Sequence, residues 1–320
     1  MYQPPYTVTQ TILKQITAIS SKLGEINAAH LNRPSPELRK KNRIRTIQSS
    51  LAIEGNTLNE EQITALFENK RVIGPERDIK EVQNAISVYS RLTEFTPVEY
   101  KSFLKAHKIF MDGLIDSAGK YRAETVGIVK GDVVTHLAPP AIRVYPLMLD
   151  LFSYLKESED LILIKSCVFH YEMEFIHPFM DGNGRMGRLW QTLILIQEYP
   201  VFEFLPLETV IKDRQEAYYE SLSASDKAGE SSQFIEFMLG IIEEALEGVL
   251  KNQQVHLNSA DRINRFQSII KGDAFSRKDY MRFFKEISSA TASRDLKKAV
   301  EAGVLSKYGH KRLTTYTFKQ

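Results

Sequence analysis

From residue 7 to about residue 255, apolar side chains recur every three or four positions, and that period commits most of the chain to helices. Ile12, Ile16, Ile19, Leu23 and Ile26 make one face of a helix over Thr7–His30, and Arg33-Pro-Ser-Pro ends it. A second helix is expected over about 36–50. It carries Arg39, Lys40, Lys41, Arg43 and Arg45, a run that reads as a solvated face, and Gly55 terminates it. Asn59-Glu-Glu-Gln opens another helix with a capping residue and first-turn acids. Further helices fit about 77–92, 97–112, 144–157, 161–176, 184–198, 209–224 and 231–254. One stretch breaks the texture: β-branched residues flank Lys130-Gly-Asp, which predicts a hairpin at about 123–138.

After His256-Leu-Asn-Ser, read as a linker, come helices over about 260–271, 276–284 and 290–301 and two strand-like pieces around Gly309. Three helices followed by a hairpin is the winged-helix order. Length supports the division, since 320 residues suit two or three domains. We therefore expect an N-terminal helical region at 1–95, a helical core at 96–255 and a winged helix at 259–320.

Charge sharpens this organisation. The whole chain has 42 Lys+Arg against 40 Asp+Glu, a net of +2, which excludes a uniformly basic protein. The sum hides a cancellation: residues 259–320 hold 14 basic and 6 acidic side chains, a net of +8, leaving −6 for residues 1–258. A basic helix-turn-helix module is the footprint of nucleic-acid binding. Winged helices also serve as protein-interaction or dimerisation modules, so both readings stand. Thr291, Ser293, Arg294, Lys297 and Lys298 would form the polar face of its recognition helix, Leu296, Val300 and Leu305 the buried side, and residues 307–312 the wing.

The single cysteine, Cys167, excludes intramolecular disulfides and reads as a buried small hydrophobe. The N-terminus has neither a basic segment nor an apolar one, so no signal peptide is expected. No run approaches the roughly 18 apolar residues of a membrane span. The expected location is cytoplasmic.

The densest chemical signal is His177-Pro-Phe-Met-Asp-Gly-Asn-Gly-Arg-Met-Gly-Arg188. Gly182 and Gly184 let backbone approach a ligand closely where a helix starts, and amides at a helix start point at anions. Arg185 and Arg188, three apart, oppose the helix dipole there unless an anion sits between them. A polyphosphate resolves the conflict. Asp181 suits a Mg²⁺ otherwise held by phosphate and water, and His177 is a candidate general base for a hydroxyl. The chemistry indicated is phosphoryl or nucleotidyl transfer. There is no P-loop, and no strand precedes the glycines as a Rossmann fingerprint requires.

This loop resembles the signature of the Fic family, His-x-Phe-x-Asp/Glu-Gly-Asn-Gly-Arg-x-x-Arg, at every fixed position: His177, Phe179, Asp181, Gly182, Asn183, Gly184, Arg185 and Arg188. The resemblance implies an all-α fold, a Fic helical core with a short β-hairpin flap, and transfer of AMP from Mg-ATP to a protein hydroxyl. By that resemblance His177 deprotonates the target Ser, Thr or Tyr, and Phe179 anchors the loop. Asp181 holds Mg²⁺, and Gly182, Asn183 and Gly184 cradle the α- and β-phosphates. Arg185 contacts phosphate, and Arg188 takes the γ-phosphate. The hairpin stands where the family's flap aligns its target by strand addition. Tyr218 and Tyr219 are the candidates for contact with adenine. Adjacent helical residues face different sides, so one of the two should be core.

Ser50-Leu-Ala-Ile-Glu54-Gly55 resembles the family's inhibitory motif. It implies that Glu54 pairs with Arg188 in the γ-phosphate subsite while Ser50 braces the approach. In some relatives the same glutamate positions a water that removes AMP. The expected function is thus a self-inhibited protein adenylyltransferase acting on another protein or on itself, with a homodimer as the expected assembly. The alternative is a nucleotide-sensing regulator that binds DNA through the winged helix.

Overall fold

A computed structural model describes residues 2–28, 36–124, 127–130, 133–256, 259–270, 274–284, 287–309 and 314–319. The chain divides into two compact units, Met1–Glu25 with Leu31–Leu246, and Ile26–His30 with Glu247–Gln320. The first unit takes in both the expected N-terminal region and the helical core. The division falls at residues 246/247, within a helix and upstream of the expected linker, whose residues 257–258 lie outside the described residues.

The elements up to residue 256 are α1 (Gln10–Ala28), α2 (Pro36–Ile53), α3 (Glu60–Phe67), α4 (Glu76–Tyr89), α5 (Tyr100–Phe110), β1 (Gly127–Lys130), β2 (Val133–Leu137), α6 (Ala141–Glu157), α7 (Ile162–Ile176), α8 (Asn183–Ile196), α9 (Leu207–Asp213), α10 (Gln215–Ala228) and α11 (Ser232–His256). The expected hairpin is present: β1 and β2 pair antiparallel from Gly127↔Leu137 to Lys130↔Val133, with an irregularity after Ile128. The helix expected over 209–224 is instead two, α9 and α10, broken at Arg214.

The core is built on α7 against α8. Almost every side chain of α7 from Leu163 to Met173 is buried, so this helix has no solvent stripe and its periodicity is weak by necessity. Cys167 is fully buried, and burial pushes its thiol up to about 12, which leaves it an inert packing residue. Trp190 of α8 is buried too, its indole N–H donating to the Pro97 carbonyl at 2.9 Å. Phe103 of α5 meets the Trp190 ring edge-on at 4.9 Å and stacks on Phe179 at 5.3 Å. That aromatic cluster fixes the loop between α7 and α8 from below.

The end of α2 is equally defined. Gly55 N–H donates to Ala52 and Asn56 N–H to Leu51, while Gly55 takes φ +90°. This is the Schellman closure, which needs a residue tolerant of positive φ. It runs the helix to Ile53, so Ser50 lies in its last turn and Glu54 just past its end. Among the described residues no helix is long and apolar enough to cross a membrane.

The second unit contains α12 (Ser259–Ile270), β3 (Phe275–Ser276), α13 (Arg277–Phe283), α14 (Ser289–Glu301), β4 (Leu305–Tyr308) and β5 (Thr315–Phe318). Its sheet has the order β3-β5-β4. The first strand was not expected. Ile263, Phe266, Phe275, Tyr280, Leu296 and Leu305 form its core, with Val300 packed at the edge. The expected wing residues 310–312 lie outside the described residues. One buried charge spans this core: Asp295 of α14 accepts two hydrogen bonds from Arg262 of α12, at 2.6 and 2.9 Å, and one from the Tyr280 hydroxyl at 3.2 Å. Removing one partner strands the other, at a cost of about 3 kcal/mol. Asp295→Ala should therefore speed hydrogen exchange of the α14 amides by one to two orders of magnitude, with α8 amides as the unaffected reference.

Candidate active site

The loop His177–Gly182 hangs between the two helices of the core. His177 caps α7 in the left-handed region, φ 50° and ψ 61°, so the chain reverses there although the residue is not glycine. Gly182, φ 88°, opens α8. A Cβ on Gly182 would lie 2.8 Å from the Met111 sulfur, so both its conformation and its space demand glycine.

Four groups hold the loop rigid. Asn183 Oδ1 accepts from the Phe179 amide and its Nδ2 donates to the Phe179 carbonyl, both at 2.9 Å. The Asn183 side chain is thus engaged with the loop itself, and what it can offer an anion is its backbone amide. Phe179 is fully buried beneath His107, ring on ring at 3.5 Å and 4°. The Gly119 amide donates to His107 Nδ1 at 2.9 Å, which leaves Nε2 to donate to the Asp181 carbonyl at 3.0 Å. Burial lowers the His107 pKa to about 4, so the ring stays neutral and keeps this tautomer at physiological pH. The fourth is Arg122. Its guanidinium binds the carbonyls of His177 and Ile176 on one side, and those of Glu124 and Pro139 at the hairpin's base on the other.

Both motif arginines are buried, Arg185 and Arg188 each 2% exposed, at the end of α8 where amide dipoles already concentrate positive potential. Arg185 donates to Asp181 Oδ1 at 2.7 Å and to Glu81 of α4 at 3.3 Å. Arg188 donates to the Ser50 hydroxyl at 3.1 Å, the Ser50 carbonyl at 3.0 Å and Glu54 Oε1 at 2.7 Å. Burial alone would disfavour the Arg188 charge; Glu54, with smaller contributions from Tyr218 and Glu174, more than offsets this and holds its pKa above the usual value. The Glu54 carboxylate rests directly on Gly184, where any Cβ would collide with Oε1. The expected meeting of Ser50, Glu54 and Arg188 is therefore present, over the start of α8.

Asp181 accepts from the Gly182 amide and Arg185 on Oδ1, and from Arg77 of α4 on Oδ2 at 3.1 Å. Among the described residues no group of three or more His, Cys, Asp or Glu could hold a metal. A divalent ion here would draw one protein ligand, Asp181, and the rest from phosphate and water, a donor set that fits Mg²⁺.

The two tyrosines separate. Tyr218 is core, 1% exposed, its hydroxyl 3.0 Å from His170 Nε2. Tyr219, on the next face of α10, is 40% exposed, and its pKa is raised by partial burial first and by the nearby negative charge of Glu54 second. Three residues of the site escape sequence reasoning: Arg77, Glu81 and His107. They lie on two helices, α4 and α5, well upstream of the loop, and no local pattern marks them.

Residues 97–195 match the Fic/DOC family model. The chain is 27% identical over 263 residues to the protein adenylyltransferase Fic of Nematostella vectensis, a match covering 77% of this chain and 57% of that one. Fic-1 of Caenorhabditis elegans shares the fold of the helical unit, with TM-score 0.63 at 20% identity over 76% of this chain and 72% of that one. The chain spans about half the length of the curated relatives it matches. The crystal structure of a Fic family protein from Desulfovibrio desulfuricans G20 is 40% identical, with TM-score 0.77, and covers 99% of this chain and 98% of that one. With full-length likeness at that identity, and with every position of the family's loop filled in a site of this geometry, the chain belongs to the Fic/DOC family.

Proposed function

We propose that the protein is an adenylyltransferase that moves AMP from ATP to a hydroxyl of a protein and that Glu54 holds it inactive. The observation that carries the reading is the pairing of buried Arg188 with Glu54 over the glycine-lined start of α8. Two buried guanidiniums at a helix N-terminus form a site for a polyphosphate. Glu54 now fills the Arg188 end of it.

With ATP in place, the amides of Asn183 and Gly184 face the phosphates while the Gly182 amide stays on Asp181, Arg185 binds phosphate oxygens and Arg188 binds the γ-phosphate. Asp181 would hold Mg²⁺, which when bound neutralises phosphate charge and helps orient the α-phosphate. His177, at the loop's start, takes the proton of the target Ser, Thr or Tyr. The hydroxyl oxygen then bonds to the α-phosphorus, the bond from that phosphorus to the bridging oxygen breaks, and pyrophosphate leaves. Tyr219, exposed on the Glu54 side of α10, is positioned to contact adenine, whereas Tyr218 is committed to the core. The hairpin, tied to the His177 carbonyl through Arg122, lines up the target strand. Glu54 blocks this by keeping the γ-phosphate from Arg188, so ATP can enter only with its phosphates displaced. The same carboxylate can orient a water for removal of AMP.

We also read residues 259–320 as a winged helix. A second function, DNA binding, is favoured by one observation. Arg294, Lys297 and Lys298 are exposed on α14, while of its two acidic residues Asp295 is turned inward and only Glu301, 3.7 Å from Lys297, is exposed. Lysines and arginines displayed on a recognition helix engage phosphates.

Three outcomes follow. With α-labelled and γ-labelled ATP, Glu54→Gly should raise α-label transfer to protein at least tenfold over wild type, with no γ-label incorporated. His177→Ala placed on that variant should abolish transfer while nucleotide binding persists, and label on the protein's own band would mark self-modification. For the C-terminal unit, the full chain should bind duplex DNA with an affinity that falls steeply with salt, and Arg294→Ala with Lys297→Ala should flatten that slope by one to two counterions. Absence of binding at low salt would favour a protein partner.

A further inference from the structure

Asp181 carries two arginines, and they differ in kind. Arg185 is part of the site: its side chain is 3% exposed, and Asp181 Oδ1 and Glu81 both accept from it. Arg77 comes from the first turn of α4, lies outside the loop motif, and its side chain is 65% exposed. It donates to the other carboxylate oxygen, Oδ2, at 3.1 Å. Oδ1 is already taken by Arg185 and the Gly182 amide, so Oδ2 is the oxygen left for a cation.

We infer that Arg77 guards the metal carboxylate, its guanidinium competing with the divalent cation for Asp181 Oδ2, so that the ion settles only as Arg77 swings away. The inference rests on the nucleotide reading of the site. A guanidinium and a divalent ion on one oxygen repel each other, and the member with the weaker hold yields. Arg77 is that member, because an exposed ion pair contributes little in water. Its departure is also easy. Arg77 Nε lies 3.6 Å from Glu81 Oε1, so a short rotation leaves the charge matched on its own helix. Glu81 thus offers Arg77 a second resting place, and the exchange leaves no carboxylate and no guanidinium stranded. Arg77 is a positioning residue: it acts on the cation through Asp181 and need not touch the reacting atoms.

The test reads metal binding rather than turnover. Full-length Glu54→Gly protein, with Arg77 intact or changed to Met or Lys, is first titrated with an α,β-methylene ATP analogue in EDTA. Mn²⁺ is then added at saturating analogue, and free Mn²⁺ is followed by its paramagnetic resonance signal. Arg77→Met should lower half-saturating Mn²⁺ about two- to fivefold, with Arg77→Lys in between. The gap should narrow at high salt. An unchanged or raised Mn²⁺ requirement in Arg77→Met overturns the inference while leaving the nucleotide site standing. No analogue binding in EDTA by any of the three overturns the nucleotide reading, and the inference with it. The exposed position of Arg77 predicts the same melting temperature for all three proteins.

Discussion

The structure turns on two guanidiniums buried at the positive end of α8. A charge withdrawn from water at a place where backbone amides already raise the potential is tolerated only beside anions. The fold supplies them from three directions: Glu54 past the end of α2, Glu81 on α4, and Asp181 within the loop itself. None of these carboxylates lies on α8. The arginines therefore dictate the packing around them. The last turn of α2 must approach Gly184 closely enough for Glu54 to rest on it, and a Cβ at that position would displace the Glu54 carboxylate. In the proposed reaction the incoming phosphates are simply better counterions for the same two charges. Brake and substrate compete because the arginines cannot be left without either.

Exchange of counterions demands that the loop itself stay fixed. The loop is held by groups that have no charge to exchange. Asn183 clamps the Phe179 backbone from both sides, and His107, kept neutral by burial, covers the Phe179 ring and binds the Asp181 carbonyl. Arg122 is the exception, a cation satisfied wholly by backbone carbonyls. Because it makes no ion pair among these contacts, phosphate entering the site does not draw on its charge through a shared carboxylate. It links the His177 turn to the base of the hairpin, so the candidate base and the hairpin share one brace.

Much of this was legible in the sequence, and the limits were physical. Helical periodicity located the long helices, because each buries one face and the apolar spacing records it. It missed the break at Arg214, because an apolar stripe continues across a one-residue interruption without losing its spacing. It missed β3, since Phe275 and Ser276 are too few to show any alternation. The loop motif identified the site because its geometry depends on adjacent residues, a left-handed turn and a glycine helix start. His107, Arg77 and Glu81 act at long sequence range, and nothing local distinguishes them from ordinary polar residues on their helices. The tyrosine pair shows the same limit. Alternation on a helix says that Tyr218 and Tyr219 differ, but only packing against His170 and Phe234 says which one is core.

Glu81 carries the last consequence of the counterion arrangement. Its Oε1 accepts from Arg185 at 3.3 Å, and its Oε2 accepts from Asn56 at 2.9 Å, two residues beyond Glu54. Asn56 also donates to the Asp78 carbonyl, and Thr57 binds the Asp78 carboxylate through both its amide and its hydroxyl. The strap that presents Glu54 is thus fastened to α4, and the same carboxylate that fastens it helps neutralise a phosphate-binding arginine. A phosphate that draws Arg185 away from Glu81 leaves that carboxylate beside Arg77, whose Nε lies 3.6 Å from Oε1, with the Asn56 amide still on Oε2. The strap keeps its anchor at the moment its glutamate must leave. The geometry therefore separates two motions: Glu54 can withdraw by rotating its own side chain, but the backbone behind it stays anchored. In the proposed function, relief of the Glu54 brake is then a side-chain event, reversible on loss of nucleotide, because the strap stays fastened to α4.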